Sequence, residues 1–127
     1  MCRSFSVDRV QPEREVLVLE GPLDSLFLAN AVSTTGPNLT AAASVLPKER
    51  LILVYDNQPG VVADLMIRAA QDGFRVAVWW LQGGIGRKDI NDLVLAGYAP
   101  EKLAYLLIEN TFGGNQAICR IRRWRDL

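Results

Sequence analysis

Short, continuous apolar runs alternate along the chain with segments whose apolar residues recur at helical spacing. The runs lie at residues 15–21, 51–56 and 75–80. Runs of this length without a polar face are typical of strands buried on both sides of a parallel sheet. The segments 22–32 and 61–73, which follow the first two runs, have the spacing of amphipathic helices. This alternation predicts an α/β fold, with a mainly parallel sheet of four strands flanked by helices.

The remaining segments are less regular. Residues 89–97 and 100–110 predict two helices, the second with Pro100 in its first turn. Residues 115–125 alternate loosely and are interpreted as the fourth strand. The segment 33–50 is ambiguous, because its start has the composition of a short strand and its remainder that of a helix or a loop.

The length of 127 residues suits a single domain that spans the whole chain. Residues 1–14 are interpreted as an N-terminal extension and residues 115–127 as a basic C-terminal strand or tail. No apolar run approaches the roughly 20 residues of a membrane span, and the N-terminus lacks the apolar region of a signal peptide. We therefore expect an intracellular, cytoplasmic protein without a membrane partner.

Composition limits the chemistry that the chain can perform. Lysine and arginine total 14, as do aspartate and glutamate, so no overall field attracts nucleic acid and any such attraction must be local. The two cysteines lie far apart in sequence and histidine is absent. This excludes histidine acid–base catalysis and Cys/His zinc sites within this chain. Catalysis would need carboxylates, a lysine or a bound metal.

Acidic residues stand where predicted strands give way to the next segment. Glu20 and Asp56 end buried strands, while Asp89 and Asp92 lie at the start of a predicted helix. Because ligands of parallel α/β sheets bind beyond the carboxyl ends of the strands, these side chains are candidate ligands for Mg²⁺. Each also has a structural alternative. Glu20 would be a solvated strand end, Asp56 a turn residue, and Asp89 with Asp92 a helix-capping pair.

The motifs around these acids resemble those of a known family. Three segments resemble signature elements of the Toprim domain, which is the metal-binding catalytic module of bacterial-type primases, topoisomerases and some nucleases. They are "VLVLEGPLDSLFLANAV", "LILVYDNQP" and "GRKDINDLV". The C-terminal part of T-even-type phage DNA primases has, in the same order, elements similar to "EGPLDSLF", "YDNQP", "KDINDL", "ENTF" and "RRWR". The resemblance covers nearly all of residues 15–125 and implies a Toprim, Rossmann-like fold.

The resemblance also implies roles for individual residues. Glu20 corresponds to a glutamate that assists metal binding or acts as a general acid or base, and Asp56 corresponds to a metal ligand. Asp89 and Asp92 match a later acidic segment that completes the site, and Lys88 is placed to reach a phosphate. A solvated loop lysine is an equally good interpretation of Lys88. The implied cofactor is Mg²⁺ or Mn²⁺.

Position 58 departs from the family pattern, which has an acid there, whereas this chain has Gln58. A glutamine carbonyl oxygen can still ligate Mg²⁺, but the site loses one negative charge. Weaker metal binding is expected because ligand charge tunes affinity. Pro59 favours an extended conformation at Gln58, which keeps the side chain where the acid would be. A degenerate domain without catalysis is the alternative.

A basic segment lies near the C-terminus. Arg120, Arg122 and Arg123 are interpreted as phosphate contacts, and Trp124 is interpreted as a surface on which a nucleic-acid base stacks. The alternative is a final strand whose exposed arginines prevent edge-to-edge pairing.

Taken as a whole, the resemblance implies metal-dependent nucleotidyl transfer that makes RNA primers on single-stranded DNA from nucleoside triphosphates. It also implies two protein partners: the remaining primase region with a zinc-binding domain, and a replicative helicase. If the chain is encoded by a bacteriophage, its location would be the host bacterial cytoplasm. Two alternatives stay open: a Toprim nuclease that uses water as the nucleophile, and a non-catalytic module that binds a metal or a nucleotide.

Overall fold

The computed structural model describes residues 14–20, 30–34, 38–56, 58–79 and 90–126, and at residues 59 and 90–92 it describes the backbone alone. The elements follow in the order β1 (Val16–Glu20), β2 (Ala31–Thr34), a first 3₁₀ helix (Leu39–Ser44), a second 3₁₀ helix (Lys48–Arg50), β3 (Leu51–Val54), α1 (Pro59–Gln71), β4 (Arg75–Ala77), α2 (Ile90–Leu95), α3 (Pro100–Glu109), β5 (Thr111–Gly113) and α4 (Gly114–Arg125). None of the helices within these ranges is both long enough and apolar enough to cross a lipid bilayer.

The strands form one sheet in the order β2-β1-β3-β4-β5. The first four strands of this order run parallel to their neighbours, and β5 pairs antiparallel with β4 at the edge. The predicted α/β fold with a mainly parallel sheet flanked by helices is therefore confirmed. The described sheet has five strands rather than the predicted four.

β1 and β3 lie side by side at the centre of the core. Every residue of β3, and every residue of β1 before Glu20, is buried, as their continuous apolar sequences predict. Leu19 is paired with Val54 in the parallel register, so the two strands end at the same level. This common level is what brings their carboxyl ends together.

The C-terminal segment is a helix, which corrects the strand or tail predicted from residue 115 onward. The buried residues of α4 recur at helical spacing: Ala117, Ile118, Ile121 and Trp124. The strand that completes the sheet is β5, which directly precedes α4. Over a few residues, the alternation of arginine with apolar residues is compatible with the period of a strand and with that of a helix. Packing of α4 against α1 selects the helix.

A second correction concerns the helix predicted over residues 22–32. Residues 21–29 lie outside the described residues, but Ala31 and Val32 begin β2 and are buried beside β1. The short strand suggested for the start of 33–50 is thus present and begins earlier than predicted. Asn30 makes the turn into it with a positive φ of 55°.

The other predicted helices are confirmed with small changes of boundary. α1 ends just before Gly73, whose positive φ of 92° stops the helix. The Lys48 ammonium donates to the Asp72 carbonyl at this end and lies 4.6 Å from the centroid of the Phe74 ring. α3 begins with Pro100 in its first turn, as predicted.

A polar clamp, comprising Glu15, Glu49 and Arg75, holds the amino edge of the sheet. Arg75 donates through Nη1 to Glu15 Oε1 at 3.2 Å and through Nη2 to Glu15 Oε2. The same Nη2 donates to the Glu49 carbonyl at 2.9 Å. Glu15 precedes β1, Glu49 lies just before β3, and Arg75 begins β4, so the clamp connects three strands. It lies opposite the edge at which ligands of such sheets bind.

Candidate functional site

The strand order contains a reversal between β1 and β3. The chain passes from β1 to β2 on one side and then returns to place β3 on the other side of β1. In open parallel sheets, the crevice for ligands lies outside the carboxyl ends of the strands at such a reversal. The expected binding edge is therefore the end of β1 together with the end of β3.

Glu20 and Asp56 both lie at this edge. Glu20 is the last residue of β1, and Asp56 is the second residue after Val54, the last residue of β3. Since Leu19 pairs with Val54, the Cα atoms of Glu20 and Asp56 should be about 6 Å apart, from ordinary strand spacing and rise. Both residues are half-buried. The backbone thus brings these two acidic residues from neighbouring strands to one edge.

Gln58 lies in the turn after Asp56, and its side chain takes no part in capping α1. The Gln58 N–H donates to the Asp56 carbonyl at 2.8 Å, and the Gln58 carbonyl accepts from the N–H groups of Val61 and Val62 at 2.9 and 3.0 Å. Gln58 precedes α1 with φ −135° and ψ 81°, and its side chain makes no capping hydrogen bond. Its amide oxygen is therefore not committed to the helix N-terminus.

Tyr55 directly precedes Asp56 and, one residue beyond the paired Leu19 and Val54, is level with Glu20. In the sequence it is only the last residue of an apolar run. Its side chain is 2% exposed, and its carbonyl accepts from the indole Nε1 of the buried Trp79 at 3.3 Å. Burial raises the pKa of the Tyr55 hydroxyl, and the negative charge of Glu20 raises it further. The hydroxyl thus stays protonated near the Glu20 carboxylate. In the sequence, the only signal for such a role is that a tyrosine ends an apolar run directly before an acid.

Thr34 is a further residue beside Glu20 that the sequence did not single out. It ends β2, is 5% exposed, and pairs with Glu20 in the register of β1 and β2. The sequence suggests a short strand around Thr34, but it does not show that this strand pairs with β1, and the adjacency of Thr34 to Glu20 depends on that pairing.

Glu20, Asp56 and Gln58, the predicted ligands among the described residues, have side chains with oxygen donors, which suit a hard cation. Two carboxylates and an amide carbonyl match the ligands that Mg²⁺ and Mn²⁺ prefer. Lys88 and Asp89 lie outside the described residues, and Asp92 belongs to α2 with only its backbone described. Within the described ranges, no three His, Cys, Asp or Glu side chains cluster as a metal site. The assignment of Lys88, Asp89 and Asp92 to the site stays a prediction.

The predicted nucleic-acid contacts all lie on α4, in different environments. Trp124 is only 5% exposed and packs inward, so it does not offer a face for base stacking. The Arg120 guanidinium lies 4.0 Å from the centroid of the Phe112 ring. Arg122 and Arg123 are exposed. Of the predicted set, Arg122 and Arg123 are exposed, Arg120 is half-buried and Trp124 is buried.

Comparison with known proteins relates the chain to one class of replication enzyme. No protein-family model matches the sequence. The chain is 33% identical, over 97% of its own length, to the DNA primase of Enterobacteria phage T4. It spans 36% of the length of that relative. The similarity thus extends along almost the whole chain while covering about a third of the relative.

Proposed function

We propose that the chain is a Toprim-type domain that contributes nucleotidyl transfer to a DNA primase, making RNA primers on single-stranded DNA. The observation that carries the proposal is the meeting of Glu20 and Asp56 at the β1–β3 reversal. Similarity to a phage DNA primase over 97% of the chain supports the class of reaction.

In this proposal Glu20, Asp56 and the Gln58 amide oxygen hold Mg²⁺ or Mn²⁺, with Asp89 and Asp92 completing the site and Lys88 contacting a phosphate. The bound cation would activate the primer 3′-hydroxyl and offset the charge of the triphosphate. The chain itself positions the groups that would hold the cation. Carboxylates fixed at two neighbouring strand ends need little reorganisation, which favours the transition state.

Local charge supports a surface for the template on α4. The chain has no net charge, yet Arg122 and Arg123 are exposed on α4, and Arg120, about one turn before Arg123, is half-buried over the Phe112 ring. Arg125 is engaged elsewhere, at 3.4 Å from Asp64 Oδ1 on α1. We define Arg120, Arg122 and Arg123 as the arginine strip and propose that it contacts the phosphates of single-stranded DNA.

The proposed partners follow from the same similarity. The relative is longer than this chain, which spans 36% of it. We propose that the domain acts together with the remaining primase region, including a zinc-binding domain, and with a replicative helicase. A balanced charge is consistent with a domain that depends on other chains or regions to hold most of the template.

A second candidate function is a module that binds metal or nucleotide without catalysis. Gln58 favours it, because the site has one negative charge fewer than the family pattern implied by the resemblance. This candidate predicts binding of a cation at the same edge with no turnover.

Oligoribonucleotide synthesis tests the proposal. The chain, alone and mixed with the rest of a primase, would be incubated with single-stranded DNA, nucleoside triphosphates and Mg²⁺ or Mn²⁺. Synthesis that is lost in Asp56→Asn is the expected result. Cleavage of end-labelled nucleic acid instead would identify a nuclease. Cation binding with neither activity would support the non-catalytic module and contradict nucleotidyl transfer.

A further inference from the structure

Exposed apolar side chains are concentrated on one stretch of the described chain. Of the six large hydrophobic residues that are exposed among the described residues, four lie between the end of α2 and the end of α3: Leu95, Tyr98, Tyr105 and Ile108. Tyr105 is 65% exposed in the middle of α3, whose opposite side is buried through Leu103 and Leu107. A concentration of exposed apolar surface is typical of an interaction site.

A cavity of about 590 Å³ runs along α3 beside Tyr105. Its described lining consists of Glu101, Lys102, Tyr105, Leu106, Glu109 and Asn110. The volume lies within the roughly 300–1,000 Å³ of ligand pockets and well above the roughly 150 Å³ of a cavity that holds benzene. The surface beside Tyr105 is therefore concave and has room for an aromatic side chain.

Four of the lining residues form a stripe along one side of α3. Lys102, Tyr105, Leu106 and Glu109 have the spacing i, i+3, i+4 and i+7, which places them on one side of a helix. The stripe thus has a base at its start, two apolar residues in its middle and an acid at its end. Lys102 and Glu109 are exposed, and in the part of the chain that the structure describes neither takes part in an ion pair. A hydrogen bond to Glu109 and the charge of that carboxylate raise the pKa of Tyr105.

The order of charges along this stripe is complementary to itself. If a second α3 lies antiparallel against the first, with a two-fold axis midway between Tyr105 and Leu106, each Lys102 is level with Glu109 of the other copy. A parallel arrangement would instead place Lys102 beside Lys102. Glu101, the other acid of the lining, is level with Asn110 of the second copy. A partner of another kind would need an acid and a base about 10 Å apart in the reverse order, and a second copy already has them.

We infer that this face of α3 binds a second copy of the chain, which forms a two-fold symmetric dimer. The Lys102 ammonium of each copy pairs with the Glu109 carboxylate of the other, so the two ends of the interface carry equivalent ion pairs. Tyr105 of each copy enters the cavity beside α3 of the other and packs on Leu106, as aromatic anchors do in protein interfaces. The contact does not depend on the proposed nucleotidyl transfer, because none of the described residues of the candidate metal site lies on this face.

Sedimentation velocity of the chain tests for this dimer. A single pair of helices is a small interface, so we expect a monomer–dimer equilibrium with a dissociation constant of roughly 10–100 μM. Lys102→Glu and Glu109→Lys should each weaken self-association about tenfold or more, because each change sets like charges against each other at both ends of the interface. The circular dichroism of both variants should match that of the unaltered chain, since both residues are exposed.

Mixing the two charge-reversed variants distinguishes the dimer from a general effect of charge. An equimolar mixture restores opposite charges at both ends of the interface, so it should associate about as tightly as the unaltered chain, although each variant alone stays largely monomeric. Glu49→Lys, which makes the same change at an exposed acid outside α3, should leave self-association unchanged. The proposal is overturned if the unaltered chain stays monomeric at about 500 μM, if the mixed variants fail to associate, or if Glu49→Lys weakens association as much as Glu109→Lys does.

Discussion

Gln58 sets the number of negative charges at the β1–β3 edge, and replacing it tests the proposed metal site. Gln58→Glu restores an acid and should tighten Mg²⁺ or Mn²⁺ binding about tenfold, because ligand charge tunes the affinity of hard-cation sites. Asp56→Asn should weaken binding by a similar factor. Calorimetric titration of the chain with each cation measures both changes.

Asp64→Asn is the matched control for Asp56→Asn. It makes the same chemical change at an exposed aspartate of α1 that pairs with Arg125 rather than lying at the edge. Cation binding by this variant should equal that of the unaltered chain. Equal affinities in all four proteins would show that the cation does not bind where the carboxylates meet.

Trp124 contributes to stability rather than to recognition. With 5% of its surface exposed, replacement by alanine should lower the free energy of unfolding by about 3–5 kcal/mol, as for large aromatic residues in cores. Urea unfolding measures the loss. Arg123→Ala, one position earlier and exposed, should change the free energy by no more than about 0.5 kcal/mol. A small loss in Trp124→Ala would mean that α4 is not packed as described.

At the scale of single elements, α4 exposes Arg122 and Arg123 of the arginine strip. Replacing both Arg122 and Arg123 by glutamine should weaken binding to single-stranded DNA. The slope of log affinity against log salt should fall by about 1.4 in magnitude, since each phosphate contact on a single strand contributes about 0.7. Fluorescence anisotropy with labelled oligonucleotides at several salt concentrations provides this slope.

Arg125→Gln is the control for that pair. Arg125 lies on the same helix and has the same charge, but its guanidinium pairs with Asp64 and Asp126. Its removal should leave the salt dependence unchanged. If Arg125→Gln lowers the slope as much as either strip arginine does, binding follows overall charge and the strip has no special role.

The same helix shows where pattern reading from the sequence stops being sufficient. The long apolar runs identified β1 and β3, and helical spacing identified α1 and α3, because each pattern extends over several residues. β5 has only three residues, too few to establish a period, and the alternation after it resembles a strand. Packing of α4 against α1, which no local pattern contains, decides between the two.

At the scale of the whole molecule, the polar clamp makes stability depend on pH. Arg75 lowers the pKa of Glu15 from its ordinary value of 4.5, so the carboxylate favours the folded state. Its contribution is complete above about pH 4.5 and is lost as the pH falls through the lower pKa of the folded state. Because the two side chains are 34% and 38% exposed, we expect about 1 kcal/mol or less.

Glu15→Gln measures this contribution. The free energies of unfolding of the two proteins, from urea titrations across the acid range, should differ at neutral pH and converge below pH 4.5. Glu101→Gln, an exposed acid of α3, should not reproduce that convergence. A difference between Glu15→Gln and the unaltered chain that persists at low pH would show that the carboxylate charge is not what the clamp uses.

The candidate site was predictable in part for a reason that belongs to the whole fold. An acid at the end of β1 and another just after β3 could be read from the sequence, and the parallel fold implies that such ends share one edge. That β1 and β3 are direct neighbours depends on strand order, which the sequence pattern does not specify. The burial of Tyr55 near Glu20 was not predicted, because it also depends on β1 and β3 being neighbours.

The packing of α1 against α4 also has a consequence for synthesis on the ribosome. α1 is complete once Gln71 has emerged, but its partner helix extends to Arg125. Until that point the nascent chain carries α1 without the helix that packs against it, and exposed apolar surface of this kind attracts chaperones or other chains. Pauses in translation between these two helices would therefore lengthen the period in which the growing chain is most prone to aggregate.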